Sequence, residues 1–282
     1  MWKHRSDVQV IHAHGLMAAI AGRLMSKVFG KPLVVSTHAV YGIGSPRMIC
    51  RVARWALRGA RYVLCLSEQS RAEMLGVGIP EGQAVVYRHW IDEKYFYPVD
   101  RHEARNTLEW DTKPFVALYA GRYLEVKGVE VILQMIPMLP PGVQIVFIGG
   151  GPLESKIRSV ANSHPEQVRI LPPIANESMR VVYSAADVLL VPSIWQEGCG
   201  RIVLEALMCG TPVIGSRRGG IPEVLTTEAG LLIDPEPAQL LDAIETLVKA
   251  PERRAGMGVA GVASAKERFS TRNAEVILSA YQ

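Results

Sequence analysis

The sequence predicts an α/β protein of two Rossmann-like, doubly wound halves, each a parallel sheet with helices on both faces. Three observations carry this expectation. Short β-branched runs alternate with helical patterns from end to end, the runs are apolar at nearly every position, and one polar stretch divides them into two series. A strand that is apolar throughout must be covered on both sides, as in a parallel sheet under crossover helices.

In chain order, VQVIHA (8–13), PLVVST (32–37), RYVLCL (61–66) and AVVYR (84–88) read as strands, and LMAAIAGRLMSKVFG (16–30) reads as a crossover helix between the first two. The pattern resumes with PFVALYAG (114–121), VQIVFIGG (143–150), VRILPP (168–173), DVLLVPS (187–193), TPVIGS (211–216) and GLLID (230–234), with VEVILQMIPML (129–139) as one of the helices between. Residues 89–113 are polar, with Pro98 and Pro114 as punctuation. The expected division is a first domain over 1–100, a linker over 101–113, a second domain over 114–268 and a closing helix over 269–282. Two such halves are expected to meet at a cleft, with ligands beyond the carboxyl ends of the strands.

Composition narrows the function classes. With 282 residues and 49% hydrophobic content the chain can bury a substantial core, so a disordered protein is excluded. Lys and Arg outnumber Asp and Glu by 31 to 27, a mild excess that suits an anionic ligand or an acidic membrane surface and does not call for nucleic acid. Cys50, Cys65, Cys199 and Cys209 form no CxxC pair and lie in apolar runs, as expected of reduced thiols in a cytoplasmic protein. Met1 to Arg5 is basic, yet no uninterrupted apolar stretch follows it and none elsewhere reaches membrane-spanning length. The protein is therefore expected in the cytoplasm, at most peripheral at the inner face of the membrane.

The chemistry concentrates in EGCGRIVLEALMCGTPVIGS (197–216). Glu197 follows a strand, Gly198 and Gly200 lead into a helix, and the bare amides of a helix N-terminus favour an anion. Glu205 lies one and a half to two turns into that helix, so the two carboxylates stand further apart than the ~5 Å of a retaining glycosidase pair. They suit two grips on one long ligand, the plain alternative being ordinary solvated glutamates. A second strand end, AGRYLEVKG (120–128), offers Arg122 and Lys127, a fork and a point charge that can hold phosphate oxygens or serve as surface cations. A third, IGGGPLES (148–155), has glycines at 149, 150 and 151 that could let a ligand approach the backbone. Glu154 stands where GxGxxG requires glycine, which disfavours a dinucleotide. His12 and His14 share a strand face, with no neighbouring third ligand in sequence to complete a zinc site.

AGRYLEVKG, IGGGP, SAADVLLVPS and above all EGCGRIVLEALMCGTPVIGSRRGGIPEV resemble the donor-binding half of GT-B glycosyltransferases of family 4, the group 1 glycosyl transferases. The likeness continues through IHAHG, KPLVVSTHAVYG and RYVLCLSEQSRAEML upstream and RFSTRNAEVILSAYQ downstream, and so covers nearly the whole chain. The resemblance implies a GT-B fold and a retaining enzyme that moves a sugar from a nucleotide diphosphate sugar, a UDP- or GDP-sugar, to a hydroxyl acceptor on a glycan, lipid or polysaccharide precursor. By the same resemblance Arg122 and Lys127 hold the diphosphate, Glu197 grips the transferred sugar, Glu205 takes the ribose hydroxyls, and His38 lies near the reacting centre. Gly121 and Gly149 at strand ends, together with Gly198, Cys199, Gly200, Ile202 and Val203, complete the implied donor contacts. Positive groups and helix amides would carry the charge of the leaving diphosphate without a metal. A glycoside phosphorylase of the same fold and a non-catalytic remnant that only binds nucleotide sugars are the alternatives.

Against the family pattern, the first domain is expected to be incomplete, because relatives open with further strands and a glycine-rich loop before the equivalent of IHAHG. Cys199 replaces a common phenylalanine, and RHWID (88–92) replaces Pro-Asn-Gly-Val-Asp, which leaves the donor sugar open. Independently of the family, Arg47, Arg51, Arg54, Arg58 and Arg61 step by 4, 3, 4 and 3 opposite Ile49, Val52, Ala56 and Ala60. That spacing predicts one basic helix face, either solvated or in contact with an anionic membrane.

Overall fold

The structure is a computed structural model that describes residues 7–42 and 47–282, with the side chains of Arg47 and Ile49 outside the described set. The chain divides into two compact units. The first comprises the described residues up to Trp90, with Gln196–Cys199 and Thr271–Gln282; the second comprises Ile91–Trp195 and Gly200–Ser270.

In the first unit β1 (Ile11–His14), α1 (Leu16–Phe29), β2 (Leu33–Ser36), α2 (Arg47–Leu57), β3 (Tyr62–Cys65), α3 (Glu68–Val77) and β4 (Ala84–Val86) follow one another. The strands form a parallel sheet in the order β1-β2-β3-β4. Every residue of β2 is buried, which is why its LVVS run carries no alternation. Ile11, Leu33, Val35, Val63 and Cys65 join Ala53, Ala56 and Leu57 of α2 and Met74 of α3 in one core. Helix ends are written in the sequence: Ser67 accepts from the Ser70 amide at 3.1 Å to start α3, and Gly78 in the left-handed region ends it.

The second unit runs α4 (Arg101–Thr107), β5 (Phe115–Arg122), α5 (Val129–Met135), β6 (Val143–Gly150), α6 (Glu154–Ser163), β7 (Val168–Leu171), α7 (Met179–Ala185), β8 (Val188–Val191), α8 (Arg201–Met208), β9 (Val213–Ser216), α9 (Ile221–Val224), β10 (Gly230–Ile233), α10 (Pro237–Lys249) and α11 (Pro251–Arg268). Its parallel sheet has the order β10-β9-β8-β5-β6-β7. The order turns back between β8 and β5, so the ends of those strands are a topological switch point. The last helix, α12 (Ala274–Tyr281), belongs to the first unit, where Asn273 donates to the His89 carbonyl at 3.0 Å.

Two expectations change on sight of the structure. The stretch 101–113, expected as a linker, begins with α4, capped by Asp100, whose carboxylate accepts from the His102 and Glu103 amides at 2.9 and 3.1 Å. Its charges are used internally. Buried Asp187 accepts from Arg101 at 3.0 Å, from Arg105 at 2.7 Å and from the Val116 amide at 2.9 Å, and Arg254 of α11 lies 3.3 Å away. One carboxylate thus ties α4 and α11 to the ends of β5 and β8.

The predicted arginine face also changes. Helix α2 ends at Leu57, so Arg61 lies outside it, its guanidinium 5.8 Å from the centre of the Tyr62 ring. Arg54 is tied down by a 2.5 Å hydrogen bond to the Val77 carbonyl. The helix buries Leu57 with Ala53 and Ala56, which turns Val52 outward beside Met48 and Trp55. Arg47 and Ile49 of that prediction have side chains outside the described residues. Among the described residues no helix is long and apolar enough to cross a membrane.

Removing one partner of a buried ion pair strands the other's charge, at a cost of about 3–5 kcal/mol. Arg105→Leu is expected to lower stability by about that amount in urea denaturation, whereas a loss under about 1 kcal/mol would show that Asp187 is satisfied without it.

Candidate functional site

Period-two geometry turns Ile11 and Ala13 of β1 into the core and brings His12 and His14 to the other face. Register places His14 opposite Ser36, the last residue of β2, and His38 follows two residues later. Three imidazoles therefore meet at the carboxyl ends of two neighbouring strands. His12 Nδ1 lies 2.6 Å from the Tyr281 hydroxyl and its Nε2 lies 2.7 Å from Ser36 Oγ. Burial, then the charges of His14 and His38, depress His12 to a pKa of about 4, so it is neutral near pH 7. His38 is depressed as well, by burial and then by His14.

Gly198 abuts His38. A Cβ at that position would stand 2.6 Å from the His38 carbonyl oxygen, so a glycine lets the EGCG segment reach this strand end. Gln69 donates to Gln196 at 3.1 Å beside it. Glu197 is half-buried and Cys199 buried, both in this first unit.

The remaining predicted residues lie in the second unit. Arg122 closes β5 with an exposed side chain, and its carbonyl accepts from the Tyr119 hydroxyl at 2.8 Å. Lys127, half-buried, ends the 3-10 turn Glu125–Lys127. That turn is fastened to the chain after β8, because the Ile194 and Trp195 amides both donate to the Val126 carbonyl, at 3.0 and 3.2 Å. Gly121 pairs with Gly149 across β5 and β6. Gly149 has φ 145°, and a Cβ there would lie 1.9 Å from the Gly121 carbonyl oxygen. Its missing side chain makes room for the neighbouring strand, whereas a Cβ at Gly150 would meet only Glu154 Oε2, at 4.0 Å.

Helix α8 begins at Gly200, in the left-handed region with φ 60° and with no side-chain cap. Ile202 is half-buried and Val203 buried. One turn on, buried Glu205 accepts from Arg201 Nε at 3.0 Å and from the Tyr183 hydroxyl at 2.9 Å. Burial raises its pKa against the opposing effects of Tyr183 and Arg201. Each carboxylate oxygen has two lone pairs, so the anion keeps acceptor capacity beyond these two bonds.

The predicted residues thus fall into two groups, His38, Glu197, Gly198 and Cys199 in the first unit, and Gly121, Arg122, Lys127, Gly149, Gly200, Ile202, Val203 and Glu205 in the second. Sequence reasoning missed Tyr183, Arg201, Ser36 and Tyr281. Of these, Arg201 could have been found, as the residue four before a buried glutamate on a helix. Among the described residues no group of three or more His, Cys, Asp or Glu could hold a metal ion, and both nitrogens of His12 are engaged by hydroxyls.

Comparison with known proteins agrees with this architecture. Residues 100–262 match the family described as Glycosyl transferases group 1, and residues 1–90 match a Glycosyl transferase 4-like domain. The chain belongs to the group 1 glycosyl transferases, and its two parallel-sheet units have the GT-B fold. It is 28% identical to the alpha-maltose-1-phosphate synthase of Mycolicibacterium smegmatis over 97% of this chain and 78% of that protein. It is 29% identical to a D-inositol 3-phosphate glycosyltransferase of Pseudarthrobacter chlorophenolicus over 96% of this chain and 70% of that protein. Among solved structures, it is similar to Anabaena Alr3699/HepE in complex with UDP, with a TM-score of 0.89 at 22% identity over 99% of this chain and 79% of that one. Sucrose-phosphate synthase from Thermosynechococcus elongatus gives a TM-score of 0.87 at 25% identity, over 99% and 74%.

The depressed His12 makes a pH prediction. Its folded pKa lies below the ordinary 6.5, so the unfolded chain takes up the proton first as pH falls. The contribution of His12 is fully present above pH 6.5 and is lost as pH falls toward about 4. Urea midpoints at pH 7 and at about pH 4.5 should therefore fall further apart in the wild type than in His12→Gln, and equal differences would remove His12 as a cause.

Proposed function

We propose that this glycosyltransferase uses a nucleotide diphosphate sugar as donor, transfers the sugar to a hydroxyl acceptor, and retains the anomeric configuration. The observation that carries the reading is Glu205, a buried carboxylate held in one orientation by Tyr183 and Arg201 and still able to accept. Two adjacent ribose hydroxyls are donors that such an anion binds well, and its two oxygens match their spacing. The presence of UDP in the Anabaena protein is in keeping with this, as are the names of the two relatives, a maltose-1-phosphate synthase and a glycosyltransferase.

Arg122 and Lys127 are assigned to the diphosphate. Bond breaking at the sugar leaves negative charge on those oxygens, and these cations with the uncapped first turn of α8 would stabilise it. Glu197 and the amides of Gly198 and Cys199 are assigned to the sugar hydroxyls, with His38 near the reacting centre. In a retaining transfer the acceptor oxygen attacks the anomeric carbon from the face the diphosphate leaves. The departing phosphate oxygen is a base that can take the acceptor proton.

Binding to the folded state alone raises the melting temperature. UDP, GDP and ADP, each with and without their common sugars, are expected to give one selective thermal shift. Glu205→Ala should abolish it while keeping a cooperative melt. An undiminished shift in that variant would end the ribose assignment. Release of free nucleotide only when an acceptor hydroxyl is present would separate a transferase from a protein that binds its donor without turnover, and release of sugar phosphate upon addition of inorganic phosphate would indicate a phosphorylase.

A further inference from the structure

We propose that His14 is a positioning residue for His38, committing Nε2 of His38 to a ring-to-ring hydrogen bond and so coupling the tautomer of His38 to its own. The inference rests, for its consequence in the reaction, on the placement of His38 at the reacting centre.

The geometry is specific. Nδ1 of His14 lies 3.0 Å from Nε2 of His38, and the two rings lie edge to edge, with centroids 5.2 Å apart and planes 16° from parallel, as an in-plane ring-to-ring hydrogen bond requires. His14 in turn stacks on His12 at 4.2 Å and 29°. His12 is held at both nitrogens, by the Tyr281 hydroxyl and by Ser36, so the stack rests on α12 at one side and on β2 at the other. Both His14 and His38 are exposed, so the pair is open to a ligand.

A hydrogen bond between two neutral imidazoles needs one N–H and one lone pair. If Nδ1 of His14 donates, Nε2 of His38 is the lone pair and His38 carries its proton on Nδ1, so both rings are Nδ1–H. If Nε2 of His38 donates, Nδ1 of His14 is the lone pair and its proton sits on Nε2, so both rings are Nε2–H. Unlike tautomers would set lone pair against lone pair or N–H against N–H. Double protonation would also set N–H against N–H, and the lowering of His38 by His14 agrees with that. The two rings must therefore carry the same tautomer, and Nδ1 is the atom of His38 left to meet a sugar hydroxyl.

Long-range nitrogen–proton correlation spectra of the full chain, at a pH where both rings are neutral, read each tautomer directly. The wild type is expected to show one and the same tautomer on His14 and His38. His14→Phe keeps a ring against His12 and has no nitrogen; it should free Nε2 of His38 and move His38 to the tautomer balance of a free imidazole. His14→Asn, whose amide can donate or accept at the Nδ1 position, should keep Nε2 of His38 hydrogen-bonded, read from its nitrogen shift. Unlike tautomers in the wild type, or a His38 spectrum unmoved by His14→Phe, would overturn the proposal. A role in packing alone predicts no change in either variant. The spectra need neither donor nor acceptor, so failure here leaves the donor reading standing, and an inactive enzyme leaves this result standing.

Discussion

A parallel strand buried on both faces has no room for polar chemistry along its length, and this constraint organises the protein. Strands such as VLLV of β8 and LVVS of β2 are buried at every position, so charged and hydrogen-bonding side chains collect where strands end. At the carboxyl ends stand His14, His38, Arg122 and the segments leading to Lys127 and Glu197. At the opposite end of β5 and β8 stands Asp187. The two ends have different tasks. The Asp187 carboxylate binds the sheet to α4 and α11 through three arginines, and the carboxyl ends display the residues proposed for the donor site.

The buried polar groups show the same division. Arg105 spends four of its five N–H donors on the carbonyls of Ala185, Thr112 and Pro114 and on Asp187, all within the fold. Glu205 is buried as deeply, yet it takes one hydrogen bond at each oxygen and retains a lone pair on each. Burial raises its pKa, so its carboxylate is the more responsive to an added donor. A carboxylate in that condition is suited to hydroxyl recognition, whereas Asp187 is suited to holding the fold.

Much of the fold was legible from the chain because composition and period act locally. Among the described residues, every strand falls within or at the end of a run read as a strand from the sequence, and the central ones are apolar enough to require cover on both faces. What was not legible depends on partners far apart in sequence. Residues 101–113 read as a linker because Asp187, which neutralises two of their arginines, lies more than eighty residues on. The rotation of α2 turns on Leu57, which the arginine spacing alone leaves out of account. At the site, glutamate spacing and the strand-end cations were visible as a pattern, but Tyr183 beneath Glu205 was not, nor was the meeting of His12, His14 and His38, which only sheet register brings about. Gly149 shows the converse, a glycine whose apparent freedom is taken up by the neighbouring strand.

Cations at and after the carboxyl end of β5 are proposed to hold a nucleotide diphosphate. Phosphorus NMR of UDP and of GDP, with and without the protein, tests it most directly. For one of the two, both phosphorus resonances should move on binding, and the double variant Arg122→Ala with Lys127→Ala should leave them near their free positions. Resonances of both nucleotides that stay at their free positions with wild-type protein, or that move as far with the double variant, would contradict the account.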